Sequence, residues 1–534
     1  MATSSRLPIV NTVSRRQFLQ LTGGATALLL LNACVAAQPT VQTPGQSAAP
    51  AADQPRRGGV LRVAFASSIM NLDPSLSVDE VDLELGFNTY ENLVTLAAQE
   101  AGAPLYPELA ESWEMSKDAR TYTFHLRKGV TFHHGTPFTA KDVVYTMTRL
   151  RDPNLGLSLG VTLQNVDTVT AVDDHTVTFQ LKTPDVTLPV ILGGQSMQIV
   201  PHDRTPEQLA KETSGTGPFY LAEHVPGERA VLKRRENYWN KDAIYLDEVH
   251  LLTLPEVAAQ ISALSGGTVD LLYQIGIGDV AALEKAPGVA ILESKESVCP
   301  FFEMRVAEKP FDDVRVRQAF KHAVDRQTLF KAVMHGHGMI SNDQPVAPGT
   351  PFWADLKPLE YNVETAKKLL AEAGYPDGLE VTLSTNIPEG AGKNDAGVIL
   401  QEMFKAAGIT LKLEVVSTDV FVAEKYMKAP FFSTWWPIPS EPNGILPLFF
   451  SKGGAYNESG WSDPKADELM AKASGEQDMA ERKKLYAEVQ QIISEQGGSL
   501  VPYVAPFMQA ARTSLKGYLP AVHLRTKSVW MAQE

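Results

Sequence analysis

Between Phe431 and Phe450 the chain reads FFSTWWPIPSEPNGILPLFF, with two tryptophans (Trp435, Trp436), four phenylalanines and four prolines around one charge, Glu441. Pro437, Pro439 and Pro442 each remove a backbone donor and fix φ, so the composition predicts neither a helix nor a central strand through the segment. Rings in this number are costly to leave in water. Two arrangements satisfy them: a rigid loop whose indoles line a concavity, with a few polar groups to orient an occupant, or an aromatic corner of a core.

The N-terminus narrows the choice. Ser14-Arg15-Arg16-Gln17-Phe18-Leu19 precedes a short apolar run, Ala25 to Leu31, which ends at Leu31-Asn32-Ala33-Cys34. That run falls well below the ~20 apolar residues of a membrane span and reads as a cleaved export signal. The paired arginines resemble a twin-arginine signal, and Leu31 to Cys34 resembles a bacterial lipobox, in which Cys34 is lipidated; plain cleavage near Ala33 is the other reading. The Ala-, Gln-, Pro- and Thr-rich stretch from Val35 to Gln54 has little to bury and reads as a tether, so residues 1–33 are taken as signal and 34–56 as linker. Cys299 is the one other cysteine, so no disulfide framework is expected. Its apolar neighbours predict a buried thiol.

The net charge is −14, and −17 once Arg6, Arg15 and Arg16 leave with the signal. An acidic chain without a basic stripe is not built for nucleic acid. About 500 mature residues exceed one core, so two or three packed units are expected. Catalytic and metal chemistry finds little support. Leu264-Ser265-Gly266-Gly267 has no Walker A partner and reads as a helix terminus. His133-His134 and His335-Gly336-His337 lack flanking ligands, and there is no Gly-x-Ser-x-Gly elbow. No cofactor, metal or enzymatic activity is expected.

In chain order, Val60 to Ala66 reads as a buried strand, and Val81, Leu85 and Asn88 keep helical spacing up to Leu96. Two hairpins follow, turning at Lys117-Asp118 and Asp173-Asp174, with a helix between them that Thr139 and Asp142 cap. Asp312 or Asp313 opens one helix and Asn362 another. Leu379 to Leu383, Val398 to Ala407 and Ile409 to Val416 read strand, helix, strand. A helix over Arg482–Ile493 and a strand over Leu500–Val504 close the pattern.

Within this order stand Pro107-Glu108-Leu109-Ala110-Glu111-Ser112-Trp113, Tyr122 to Val130, Phe132-His133-His134-Gly135-Thr136-Pro137-Phe138-Thr139-Ala140-Lys141-Asp142, Gly215-Thr216-Gly217-Pro218-Phe219-Tyr220, Asn237-Tyr238-Trp239, Lys309-Pro310-Phe311-Asp312-Asp313-Val314-Arg315 and Glu372-Ala373-Gly374-Tyr375-Pro376-Asp377-Gly378. Together they resemble the extracytoplasmic solute-binding proteins, family 5, the peptide and nickel receptors of ABC importers. His134 departs from the pattern, where an Asp is usual.

The resemblance implies an α/β fold: a two-lobed periplasmic-binding-protein clamshell with an extra subdomain inserted in the first lobe. Residues 57–85, 215–300 and 499–534 would form lobe I, 86–214 the inserted subdomain and 301–498 lobe II, hinged near Phe301 and Ser499. It further implies an exported, lipid-anchored and monomeric receptor that passes a peptide or peptide-like solute to permease subunits. An opine, oligosaccharide or other polar organic cargo is the alternative, and an extracytoplasmic enzyme or a signalling or chaperone-like binder that uses the same clamshell is the third reading. The expected ligand contacts are Met70, Asn71 and Tyr273 on one side and Trp435, Trp436, Ser440 and Glu441 on the other. Peptide-binding members carry Trp-x-x-Asp-Tyr-x-Asp-Pro here, the first Asp pairing with the ligand's α-ammonium. Counted from Trp436, this chain has Pro439 near that place and runs one residue short.

Overall fold

A computed structural model describes residues 54–77, 79–96, 105–155, 158–387, 391–438 and 441–532. The signal, Cys34 and most of the tether lie outside them. Among the described residues no helix is long and apolar enough to cross a membrane.

One mixed sheet of twelve strands organises the chain. Its main path runs Ile409–Ser417, Leu379–Ile387, Phe431–Ile438, Val289–Met304, Tyr503–Arg512, Leu271–Leu272, Val60–Phe65, Glu248–Thr253, Arg229–Arg234 and Phe219–Val225. The 16-residue strand Val289–Met304 joins the two ends of this path. Its first part pairs with Tyr503–Arg512, from Val289↔Arg512 to Glu293↔Met508. Its last part pairs with Phe431–Ile438, from Ser297↔Ile438 to Met304↔Phe431. Between Glu293 and Ser297 the register shifts, which leaves Ser294, Lys295 and Glu296 out of the ladder.

The expectation of no central strand in the aromatic segment is corrected here. Phe431–Ile438 is a strand with partners on both sides, and Leu446–Phe450 is a short helix. The prolines are accommodated by position. On the Leu379–Ile387 side the strand pairs only at Ser384↔Phe432, so Pro437, next to its end, stands where the sheet is one-sided. Two other boundaries move. The helix after the first strand is Glu80–Thr89, and Val94–Leu96 is a strand instead of its continuation. The closing strand divides into Ser499–Leu500 and Tyr503–Arg512, interrupted at Pro502, which has no donor for a ladder.

The remaining elements follow their sequence signals. Thr139 and Asp142 form a capping box for the helix Ala140–Leu150. That helix covers a separate antiparallel sheet of four strands, Ala110–Met115, Thr121–Leu126, Thr176–Leu181 and Val166–Asp173. Phe124, Phe132, Phe138, Met147, Val177 and Phe179 fill a core of its own there. Asp313 and Asn362 cap the helices Val314–His322 and Val363–Glu372. Gly266 ends the helix Val257–Ser265, and Cys299 is fully buried.

Candidate functional site

Strand register locates the crevice. Val63 is level with Leu271, Leu271 with Ala511, and Ala511 with Ala290. Phe65, two residues on, is therefore level with Leu292, and the loop that follows continues in the direction of Ser297. From the other side, Ile438 arrives level with Ser297, running the opposite way. The loop after the first strand and the segment after the tryptophan strand thus open toward one zone, separated by roughly 15 Å along Val289–Met304 at ~3.3 Å per residue. Ligands of open α/β sheets bind outside strand carboxyl ends of this kind.

On the first-strand side the loop is pinned to the start of the following helix. Asp82 accepts the backbone N–H of Met70 (2.8 Å) and of Asn71 (3.1 Å), and the Asn71 side-chain amide as well (2.9 Å). Ser67 donates to Asp79 at 2.5 Å. Met70, held by its backbone, leaves its side chain 77% exposed. The polar atoms of Asn71 are largely spent on Asp82. Tyr273 is closed off: its ring stacks on Phe65 at 4.7 Å and its hydroxyl donates to Val522 O at 2.5 Å. With 3% exposure Tyr273, expected as a ligand contact, lies in the core of this structure.

On the tryptophan strand the two indoles face opposite surroundings, as neighbours on a strand do. Trp436 lies against Phe449 (5.3 Å between ring centres) and Tyr456 (5.0 Å), and its Nε1–H donates to Glu458 at 3.0 Å. Glu458 is buried and also accepts the Thr434 hydroxyl at 2.6 Å. Trp435 is half-buried against the main core and, among the described residues, makes no side-chain hydrogen bond or ring stack. The structure therefore separates the pair into one fixed indole and one unengaged indole.

Glu441 is not a free carboxylate. Arg482 donates to it at 2.7 Å, both side chains are about a tenth exposed, and the guanidinium lies over Phe352 at 4.5 Å. Burial pushes the Glu441 carboxyl up to about 7, with Arg482 pulling the other way. Counted from Trp435, the Trp-x-x-Asp-Tyr-x-Asp-Pro pattern runs without a gap: Ile438 stands at the first Asp and Glu441-Pro442 at the second. Ile438 is buried, so no ammonium partner occupies that position. Ser440 lies outside the described residues.

Residues that the sequence reading passed over stand at the same level. Glu296, in the unpaired stretch, accepts the Val522 backbone N–H at 2.6 Å, and Glu293 meets His337 at 2.7 Å. The polar run Ser294-Lys295-Glu296 inside an otherwise apolar strand was the available signal. A second contact zone joins the four-stranded part to the segment after the tryptophan strand. Val186 N–H donates to Ser474 O (2.8 Å), Asn443 to the Thr187 hydroxyl (2.6 Å) and Gln477 to Lys117 O (2.8 Å). A cavity of about 860 Å³ borders it, lined by Asn165, Asp185, Asn443, Met470, Ser474 and Leu485 among others.

Residues 104–457 match the model of the bacterial extracellular solute-binding proteins, family 5. Heme-binding protein A of Haemophilus influenzae is 30% identical over 88% of this chain and 91% of its own length. The glutathione-binding protein GsiB of Escherichia coli K12 is 27% identical over 85% and 91%. In structure, the periplasmic binding protein DppA of Helicobacter pylori, solved with the peptide STSA, aligns with a TM-score of 0.80 at 26% identity, over 90% of this chain and 99% of that one. AgaA, solved with agropinic acid, gives 0.78 at 24%. These likenesses place the fold among the two-lobed periplasmic binding proteins.

Proposed function

The chain belongs to the bacterial extracellular solute-binding proteins, family 5, and from that premise we propose that it is the extracytoplasmic receptor of an ABC importer, closing its lobes on a peptide or peptide-like solute and passing it to the permease. The lobes are those delimited above, 57–85, 215–300 and 499–534 with the insertion 86–214, and 301–498. The family is one of binding proteins, not enzymes, and the role is capture without turnover.

The observation that carries this reading is Trp435. It is an unengaged indole on a strand fixed from both sides, at the end that opens onto the crevice, with exposed Met70 on the loop that approaches from the other side. A pre-positioned aromatic with an adaptable thioether opposite suits capture of a small organic body. Relatives named for glutathione and solved with a peptide support a peptide-like cargo. The Glu441–Arg482 pair favours the second reading, a non-peptide cargo such as an opine, oligosaccharide or other polar organic solute, because the loop keeps no free carboxylate for an α-ammonium.

Placement outside the cytoplasm by the Arg15-Arg16 signal, attachment through lipid on Cys34 and a monomeric state complete the reading. Its test is the solute that co-purifies. Denaturing the purified chain and analysing the supernatant by mass spectrometry should release one dominant small molecule, which rebinds to the emptied protein in titration calorimetry and is recovered unchanged. Conversion of that solute to a product would overturn the receptor reading.

A further inference from the structure

We propose that His523, held by the buried carboxylate of Glu84, is a cargo-contacting residue that accepts a hydrogen bond from a protonated amine, or another N–H or O–H donor, on the solute. The proposal rests on the receptor reading above and adds the chemistry of one recognised group.

Glu84 lies in the middle of the helix Glu80–Thr89 and its side chain is fully buried. It accepts the Leu524 backbone N–H and His523 Nδ1 at 3.1 Å, with the Tyr273 hydroxyl, whose proton goes to Val522 O, 3.2 Å away. None of these donors is a lysine or arginine. A carboxylate only accepts, so Nδ1 carries a proton, and the tautomer this pairing selects is the one that presents a lone pair on Nε2. Phe87 lies against the imidazole at 4.2 Å, tilted by 38°, and restricts its rotation. The His523 side chain keeps 20% of its surface, and among the described residues its one hydrogen bond is through Nδ1. Fixing one ring nitrogen through a carboxylate in order to present the other is how histidines are oriented for contact with a second molecule.

The place fits. Val522, the preceding residue, donates its backbone N–H to Glu296 in the unpaired stretch between Glu293 and Ser297, the level at which the crevice opens. The charge fits as well. The wall around His523 carries the side-chain acceptors Asp79, Asp82 and Glu84 from the start of the helix, and Glu296, which holds Val522. Such a wall attracts a cationic or donor-bearing group and repels a carboxylate. An ammonium that finds no partner at Ile438 and Glu441 would find one here.

The test uses the purified chain with glutathione and trialanine, each with a free amine and as its N-acetyl derivative, in titration calorimetry. The free amines should bind at least tenfold more tightly, and His523→Ala should bring the ratio within twofold. Glu84→Gln, which keeps an acceptor but removes the charge, should give an intermediate ratio. Acetylated probes that bind the unaltered chain as tightly as the free amines would overturn the proposal without recourse to a variant. A ratio that survives His523→Ala would overturn it too, as would a co-purifying solute that ignores that substitution, and both leave the receptor reading standing. Failure of all four probes to bind, together with no co-purifying solute, would overturn both.

Discussion

At the scale of single residues, neighbouring tryptophans have different work to do. Trp436 is fastened by two rings and a buried carboxylate, whereas Trp435 is fastened by packing alone. Trp435→Ala is therefore expected to weaken cargo binding at least about thirtyfold, the loss typical of a central aromatic contact, with a nearly unchanged melting temperature. Trp436→Ala should cost about 3 kcal/mol of stability in denaturant titrations, since it opens a cavity and strands Glu458. Glu458 also makes a pH prediction. Burial pushes its carboxyl up to about 7 from a usual 4.5, against the Thr434, Trp436 and Tyr426 donors. Glu303 nearby is pushed up by burial and then by Glu458. The unfolded chain gives up both protons near its ordinary pKa while the folded chain retains them. Above that pH the folded state holds more protons, so stability falls as pH rises from 4.5 toward 7. Glu458→Gln removes one such titration and should flatten the slope of melting temperature between about pH 5 and pH 8, raising it at the alkaline end. An unchanged slope would assign the dependence elsewhere. Residues of this kind were only partly legible in the sequence. Thr139 and Asp142 are three apart and announce their capping box. Glu441 and Arg482 are 41 apart, and nothing local says that they pair.

At the scale of elements, the lesson of Phe431–Ile438 is that composition misleads where a partner strand is available. Proline and tryptophan argue against a helix and count as irregular, but eight residues opposite Val289–Met304 supply a ladder that local preference cannot foresee. The helices and hairpins, whose contacts lie within a few residues, were legible in existence and order, although the helix read up to Leu96 ends at Thr89 and the one read from Val398 begins at Lys393. The seam around Asn443 was not, because its donors and acceptors come from sequence regions about 260 residues apart. There Asn443 joins Thr187 and Ser474, the Val186 backbone joins Ser474, and Gly475 packs so close to Pro184 that an added Cβ would stand 3.0 Å from its ring. If the second lobe closes against the insertion here, these contacts form on closing, and their free energy adds to that of the cargo. Asn443→Ala removes its bond to Thr187 across the seam, about 1 kcal/mol, and should weaken cargo binding roughly fivefold. The residues proposed to touch the solute stay intact in that variant. Gly475→Leu should act in the same direction through steric separation. Calorimetry that finds either variant indistinguishable from the parent chain would show that the seam is a fixed interface.

At the scale of the molecule, the two ends of the main sheet are joined through two strands whose ladder is broken. Val289–Met304 pairs with Tyr503–Arg512 on both sides of a stretch of broken register, at Glu293↔Met508 and again at Ser297↔Pro506, and Ser499 to Tyr503 returns beside it with Pro502 interrupting the ladder. Two strands weakened at neighbouring levels bend more easily than the paired regions on either side, because fewer ladder bonds resist rotation. The hinge proposed near Phe301 and Ser499 extends on this geometry to Glu293–Ser297. Cargo that bridges the lobes should select the closed arrangement and raise stability by mass action, by about 2.7 kcal/mol at a hundredfold excess over its dissociation constant. Small-angle scattering should then show a smaller radius of gyration with saturating cargo than without it. Deleting Ser294 and Lys295, which leaves the single residue Glu296 opposite Phe507, would let the ladder continue and stiffen the crossing. That variant should melt no lower than the parent, yet compact less on adding cargo and bind it more weakly, since the closed state would carry the cost of bending a continuous strand. Equal compaction in parent and variant would move the hinge away from this stretch, and no compaction in the parent would overturn lobe closure itself.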